Sequence, residues 1–404
     1  MFGTSGIRGP VGEDVTAAVA LSVGRALGVD ADRVVVGRDP RESGRLLLDA
    51  VTAGLRESGT DVVDYGLAAT PTVARGVAGE DADAGVVVTA SHNPPADNGI
   101  KLWQPSGQAF DAALRETISE RVERGTTALE PWDGLGERVA GDGHERHLGA
   151  LVEAVDPVDG LSVVVDVGNG AGGITVDALD RAGCAVETLN AQPDGSFPAD
   201  RMRAVAGDGT FLSGDVLLAI LAREAAGEGD RVAVPVDTSL AVEDHLAAAG
   251  VSVTHTRVGD VYVAERASEP DVAFGGEPSG AWIWPEETLC PDGPLAACKL
   301  AALASERPLA DRAAAVETYP IHRDSVATDE KGAVMDRVAE RVTAGDEDVS
   351  TLDGVRVDQG DAWFLVRASG TQPLVRVTAE ARDADRAETV FDEALGLVTD
   401  AADA

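Results

Sequence analysis

"RVVVGRDPRESGRLLLDAVTAGLRESGTDVVDYG", residues 33–66, contains a strand, a polar turn, a helix and a second strand. Three consecutive valines predict a strand buried on both faces, and "SGRLLLDAVTAGLRESG" (43–59) has the apolar period of a helix stopped by Gly59. "DVVDYG" (61–66) and "AGVVVTASHNP" (84–94) supply the next two strands. Strands joined through helices imply a mostly parallel sheet with helices on its faces.

The same opening recurs. "LSVVVDVGNGAGGITVDALDRAG" (161–183) and "DRVAVPVDTSLAVEDHLAAAGVSVTHT" (230–256) each begin with a strand, a turn and a helix. The latter continues through "DVAFGGEPSGAWIWP" (271–285) into the helix "DGPLAACKLAALASE" (292–306). The tail differs: "GVRVDQGDAWFLVRASGTQPLVRVTAEAR" (354–382) alternates like antiparallel strands, and "DRAETVFDEALGLV" (385–398) is helical. The expected fold is α/β: three related α/β domains with mixed sheets plus a C-terminal α+β domain, at 1–135, 150–228, 229–312 and 317–404. "VERGTTALEPWDGLGERVAGDGHERH" (122–147), rich in glycine and charge, reads as a linker.

The 404 residues carry 70 acidic and 33 basic side chains, a net charge of −37. Such a surface repels nucleic acid and anionic membranes. Only Lys101, Lys299 and Lys331 are lysines. An acid-rich, lysine-poor composition fits a salt-loving cytoplasm; an ordinary acidic enzyme is the alternative. Cys184, Cys290 and Cys298 form no CxxC and are too few for a disulfide framework or a zinc site, which points to a reducing compartment. No apolar run reaches about 18 residues, and "MFGTSGIRGPVGED" lacks the charged and apolar regions of a signal peptide. A cytoplasmic protein, monomer or homodimer, is the expectation.

Four loops could carry chemistry. In "TASHNPP" (89–95), Ser91 and His92 end a core strand where α/β sheets bind ligands. No GxSxG elbow is present, so Ser91 is a nucleophile, a phosphate carrier, or part of a tight turn. "FGTSGIRGP" (2–10) surrounds Arg8 with glycines and hydroxyls, suited to an oxyanion or simply a mobile terminus. In "GGEPSG" (275–280), Glu277 and Ser279 would face outward and suit sugar hydroxyls, or form a hairpin turn. "RASGTQP" (367–373), with Arg376 beyond, is a phosphate nest or a hairpin loop.

Together with "VGDVYV" (258–263), these motifs stand in an order and spacing that resembles the α-D-phosphohexomutases, and the resemblance spans nearly the whole chain. It implies a phosphoserine at Ser91 that gives its phosphoryl group to a hexose or hexosamine monophosphate. The resulting bisphosphate turns over and returns its other phosphate, so 6- and 1-phosphates interconvert. By the same resemblance, Arg8, His92 and Lys101 act at the transferred phosphate, Lys101 as acid/base. Gly259, Asp260, Glu277 and Ser279 would hold the sugar, and Arg367, Ser369, Gly370, Thr371 and Arg376 the other phosphate. Hexose 1,6-bisphosphate would be the activator, and glucosamine, mannose or glucose phosphates the substrates.

The family's Mg²⁺ loop, Asp-Gly-Asp-Ala-Asp-Arg, is not found. After "LNAQPDGSFP" (189–198) the chain continues "ADRMRAVAGDGTFLSGD" (199–215). Asp200 and the active-site arginine Arg201 match the end of that loop, leaving Ser91 and Asp200 as metal ligands and two aspartates missing. A lost segment of roughly one βαβ unit, about 30–40 residues, would account for this. A sugar-phosphate-binding homologue with impaired catalysis is the alternative reading. Ala281 also stands where many relatives carry histidine.

Overall fold

The computed structural model describes residues 3, 6–195, 202–343, 348–369 and 373–403. The chain divides into two compact units, one of Met1–Gly207 with Ser279–Leu309 and one of Asp208–Pro278 with Ala310–Ala404.

The first unit is built on a six-stranded sheet. Arg33–Arg38 pairs in parallel with Asp61–Leu67 and with Ala84–Val88, as the opening stretch predicts. Ala84–Val88 is buried along its whole length. Valine alternation divides its contacts between two cores. Val34, Val36, Val86 and Val88 face the helices Ala17–Leu27 and Gly44–Glu57, which contribute Val23, Leu47, Val51 and Leu55. Val35, Val63 and Val87 face Val73, Ala74 and Val77 of the helix Thr70–Gly79. The two helices on the first face approach closely because Gly24 and Gly54 carry no side chain. A Cβ on Gly24 would lie 2.2 Å from the Val51 carbonyl oxygen.

Two strands lie outside the sequence reading. Asp97–Trp103 runs antiparallel to Ala84–Val88, and Ile7–Pro10 antiparallel to Asp97–Trp103, so the sheet is mixed and the N-terminal motif is anchored in it. The expected linker at 122–147 is also corrected. It contains the end of the helix Ala112–Arg124, a strand Arg138–Ala140 paired in parallel with Asp61–Leu67, and the start of the helix Gly143–Glu153. His147 in that helix is buried between Thr72 Oγ1, 2.9 Å from Nδ1, and Asp292 Oδ2, 3.1 Å from Nε2. Arg75 Nε donates to the same Asp292 oxygen at 2.8 Å. Burial opposes ionisation of Asp292, but His147, Arg75 and the Leu295 N–H outweigh it and hold the carboxyl below the usual range.

The "SVVVD" strand, Ser162–Asp166, pairs only with Ala185–Leu189 among the described residues. Val164 is 61% exposed and Leu189 54%. Apolar strands of a parallel sheet are normally covered on both faces.

In the second unit, Arg231–Pro235 pairs in parallel with Ser252–Thr256 and with Val272–Glu277. A five-stranded sheet follows, in which Ile321–Ala327, Leu374–Ala381, Ala362–Ala368, Val355–Asp358 and Asp348–Ser350 are antiparallel neighbours in that order. The helices Lys331–Thr343 and Ala384–Ala402 cover one face through Val338, Val390, Ala394 and Val398. On the other face, Trp363 and Leu365 pack with Val236 and Leu240. No described helix is long and apolar enough to cross a membrane.

Candidate active site

The first unit holds the serine. Ser91 lies two residues beyond the Thr89 that follows Ala84–Val88, is 3% exposed, and has φ +58°. That left-handed conformation is rare for a residue with a side chain and costs on the order of 1–3 kcal/mol unless the surroundings impose it. The surroundings are a ring of hydrogen bonds. Ser91 N–H donates to Thr89 Oγ1 at 2.9 Å, and Thr89 Oγ1 donates to Asp39 Oδ2 at 2.7 Å. Arg41 Nε donates to the same Asp39 oxygen at 3.0 Å, and Arg41 Nη2 returns to the Ser91 carbonyl at 2.7 Å. Arg41 also donates to the carbonyls of Asn93, Pro94 and Asp97 at 2.6–2.8 Å.

His92 and Arg8 lie at the serine loop, and Lys101 lies on the strand next to it. Ser91 Oγ lies 3.2 Å from His92 Nδ1. Arg8 Nη1 donates to Asn93 Oδ1 at 3.2 Å, and Asn93 Nδ2 to Asp97 Oδ2 at 2.9 Å. Arg8 stands opposite Gly99, two residues from Lys101 on the neighbouring strand, so the two cations share one sheet face. Gly99 is required there, since a Cβ would lie 2.4 Å from the Ile7 carbonyl oxygen and 2.7 Å from that of Thr89. Gly195 packs on the turn that carries Arg41, its Cβ position 2.8 Å from Glu42 N. Asp200 and Arg201 lie outside the described residues.

Among the described residues, no three His, Cys, Asp or Glu side chains come together as a metal site. Asp208 accepts from Thr210 N–H in its own turn. Asp215 accepts from Ser239 N–H at 3.1 Å, and burial, with Glu380 nearby, pushes its carboxyl up to about 6. Neither Asp208 nor Asp215 belongs to such a cluster.

The second unit holds the other motifs. Gly259, at φ +136°, donates its N–H to Glu277 Oε1 at 2.7 Å, which brings "VGDVYV" and "GGEPSG" together. Glu277 ends its strand 5% exposed, so it does not face outward as the sequence suggested. Asp260 opens the helix Asp260–Ala267 and accepts from Val261 N–H. Ser279 belongs to the first unit, and its carbonyl accepts from Arg203. Val258 N–H donates to Asp353 Oδ2 at 2.9 Å, and Arg367 Nη1 lies 3.6 Å from that same oxygen. The sugar motif and the arginine of "RASGTQP" are thus joined through one carboxylate.

Arg367 and Arg376 stand directly opposite on adjacent antiparallel strands. Like charges in that position repel, and an anion between them removes the cost. Arg323, two residues from the Ser325 that faces Arg376, adds a third cation that the sequence reading missed. It lies in an alternating strand and belongs to no motif. Ser369 is buried, with its carbonyl accepting from Lys331 Nζ. Gly370 and Thr371 lie outside the described residues.

The two α/β sheets, the C-terminal sheet and these loops define a multi-domain sugar-phosphate enzyme. The chain belongs to the phosphoglucomutase/phosphomannomutase family: models of its α/β/α domain I, α/β/α domain III and C-terminal domain match residues 1–129, 213–319 and 324–397. It is an intramolecular phosphotransferase of hexose or hexosamine phosphates. A relative from Methanococcoides burtonii, named "Probable phosphoglucosamine mutase", is 41% identical over 437 aligned positions, covering 98% of this chain and 99% of its own. Those positions exceed the 404 residues here by 33. A phosphoglucomutase/phosphomannomutase family protein from Burkholderia thailandensis shares the fold, with a TM-score of 0.87, 24% identity and coverage of 99% and 98% of the two chains. So does N-acetylphosphoglucosamine mutase of Aspergillus fumigatus, solved with GlcNAc-6P and magnesium, at TM-score 0.65 and 16% identity over 99% and 96%.

Proposed function

We propose that the protein interconverts glucosamine 6-phosphate and glucosamine 1-phosphate through a phosphoserine at Ser91. The observation that carries this reading is the serine itself, held at a strained φ at the end of a buried parallel strand. The relative's name favours the hexosamine among the hexose phosphates.

The phosphorus–oxygen bond to Ser91 Oγ breaks as a bond forms from phosphorus to the free sugar hydroxyl. The hydroxyl loses its proton to the neutral amine of Lys101, and Ser91 Oγ takes one from protonated His92, whose Nδ1 is within 3.2 Å. Arg8, and Lys101 once it has taken that proton, offset the charge of a group that carries about −1.5 to −2 near neutrality. The bisphosphorylated sugar then presents its other phosphate, and the reverse transfer regenerates phosphoserine. Glu277 and Ser279 hold hydroxyls in either orientation, while Arg367, Ser369, Gly370, Thr371 and Arg376 hold the resting phosphate. Mg²⁺ at a phosphoryl-transfer site offsets charge on the moving group; no step is assigned to it here, because the described residues do not make its site.

The two loop aspartates missing from the sequence, together with an alignment that is at least 33 positions longer than this chain, favour a second reading: a homologue that binds sugar phosphate and turns over slowly. One experiment separates the two. Intact-mass measurement after incubation with glucose 1,6-bisphosphate should show one phosphate on the wild type and none on Ser91→Ala. A coupled assay with Mg²⁺ and glucosamine 6-phosphate then reads turnover. An adduct that persists in Ser91→Ala places the carrier elsewhere, and an adduct without turnover supports the impaired homologue.

A further inference from the structure

Arg41 is 1% exposed and all five of its N–H groups are used. Four of its acceptors are carbonyls of residues 91–97, some fifty residues further along the chain. Buried carbonyls need donors, and only a guanidinium offers five in a fixed plane. The bonds are not spread at random over the loop. Arg41 Nη2 holds the Ser91 carbonyl, while Arg41 Nε, Asp39 and Thr89 lead back to the Ser91 N–H. Both peptide groups of the one non-glycine residue with positive φ in this loop are therefore closed into a single ring.

We infer that Arg41 is a positioning residue for phosphoryl transfer. It touches no substrate; it keeps Ser91 in the left-handed conformation and so fixes the direction of Oγ. This rests on Ser91 being the carrier. A misplacement of about 1 Å at a reacting atom costs about a hundredfold in rate, so the loss should appear in transfer and not in sugar binding.

The test uses dephosphorylated full-length protein with glucose 1,6-bisphosphate, following the rate of Ser91 phosphorylation by quenched intact mass. Calorimetric titration with glucose 6-phosphate and amide hydrogen exchange are run alongside. In Arg41→Lys and Arg41→Ala, transfer should slow about a hundredfold with an unchanged dissociation constant. Exchange protection should fall at 91–97 and remain elsewhere, and added guanidinium should restore rate to Arg41→Ala. Wild-type transfer in Arg41→Ala overturns the inference. So does a slowing that guanidinium leaves untouched and that comes with equal losses of affinity and of protection throughout the unit. If the wild type itself takes up no phosphoryl group, the Ser91 reading fails; unchanged protection at 91–97 in Arg41→Ala would then overturn the positioning role on its own.

Discussion

At the scale of single residues, the motifs were legible where chemistry demands a particular side chain. Ser91, Arg8 and Lys101 stand in quotable runs; Ser91 follows Ala84–Val88, Lys101 lies on the strand beside it and Arg8 on the strand beyond. Arg41 was not legible, because "DPR" looks like any polar turn and its importance comes from carbonyls of residues 91–97. Glu277 was misjudged for a related reason. A carboxylate at a strand end is expected in water, but a backbone N–H at Gly259 gives it a buried partner. Arg367 and Arg376 yield a prediction at this scale. Their facing charges suit an anion, and a hydrogen bond to a charged group contributes about 1.5–3 kcal/mol. Arg367→Ala should therefore raise the dissociation constant for glucose 6-phosphate about tenfold or more, read by calorimetry. An unchanged constant would remove this loop from the site.

At the scale of elements, long periodic segments were readable and short exposed ones were not. The strand Arg138–Ala140 has three exposed residues and no alternation to betray it, so the segment passed for a linker. Ser162–Asp166 was read correctly as a strand, yet it lacks the cover its valines call for. A segment missing from this part of the chain was the expectation from sequence, and the alignment with the relative, 437 positions against 404 residues, is in keeping with it. The joint between the sheet that holds Arg231–Pro235 and the C-terminal sheet was also invisible, because polar groups complete it beside the apolar contact of Trp363 and Leu365 with Val236 and Leu240. Glu380 accepts from Leu240 N–H and Trp363 Nε1, each at 2.8 Å, and Ser239 Oγ donates to it as well. Asp215 approaches this joint from the helix Gly214–Ala225, and burial raises its carboxyl to about 6. A carboxyl raised in the folded state favours folding while protonated. Its contribution is present below about pH 4 and is lost as pH rises through about 6. At pH 8 its charge costs about 1–3 kcal/mol at 1.36 kcal/mol per pH unit. Asp215→Asn should therefore stabilise the second unit by that amount at pH 8 and have little effect at pH 4, measured by urea unfolding at both. Equal effects at the two values would show that Asp215 does not carry this burden.

At the scale of the whole molecule, charge dominates. An excess of 37 acidic groups with three lysines leaves many like-charged neighbours on the surface. The sequence permits two readings of that excess, and screening separates them. Two exposed charges about 7 Å apart repel by about 0.6 kcal/mol in water. The Debye length falls from about 10 Å at 0.1 M salt to about 3 Å at 1 M, which cuts that repulsion from about 0.3 to less than about 0.1 kcal/mol. With on the order of ten such pairs unrelieved, molar salt is worth about 2 kcal/mol to the folded chain. For units of about 150–250 residues, 1 kcal/mol moves the melting temperature by about 2–4 °C. Raising KCl from 0.1 M to 1 M should therefore raise the melting temperature by about 4–8 °C, read by calorimetry at constant pH. Sucrose at matched osmolality gives the control, since it stabilises by exclusion and screens nothing. A melting temperature that stays flat or falls in KCl would mean that the 33 basic groups already neutralise the repulsion locally, and the reading of a protein fitted to a salt-rich cytoplasm would fail.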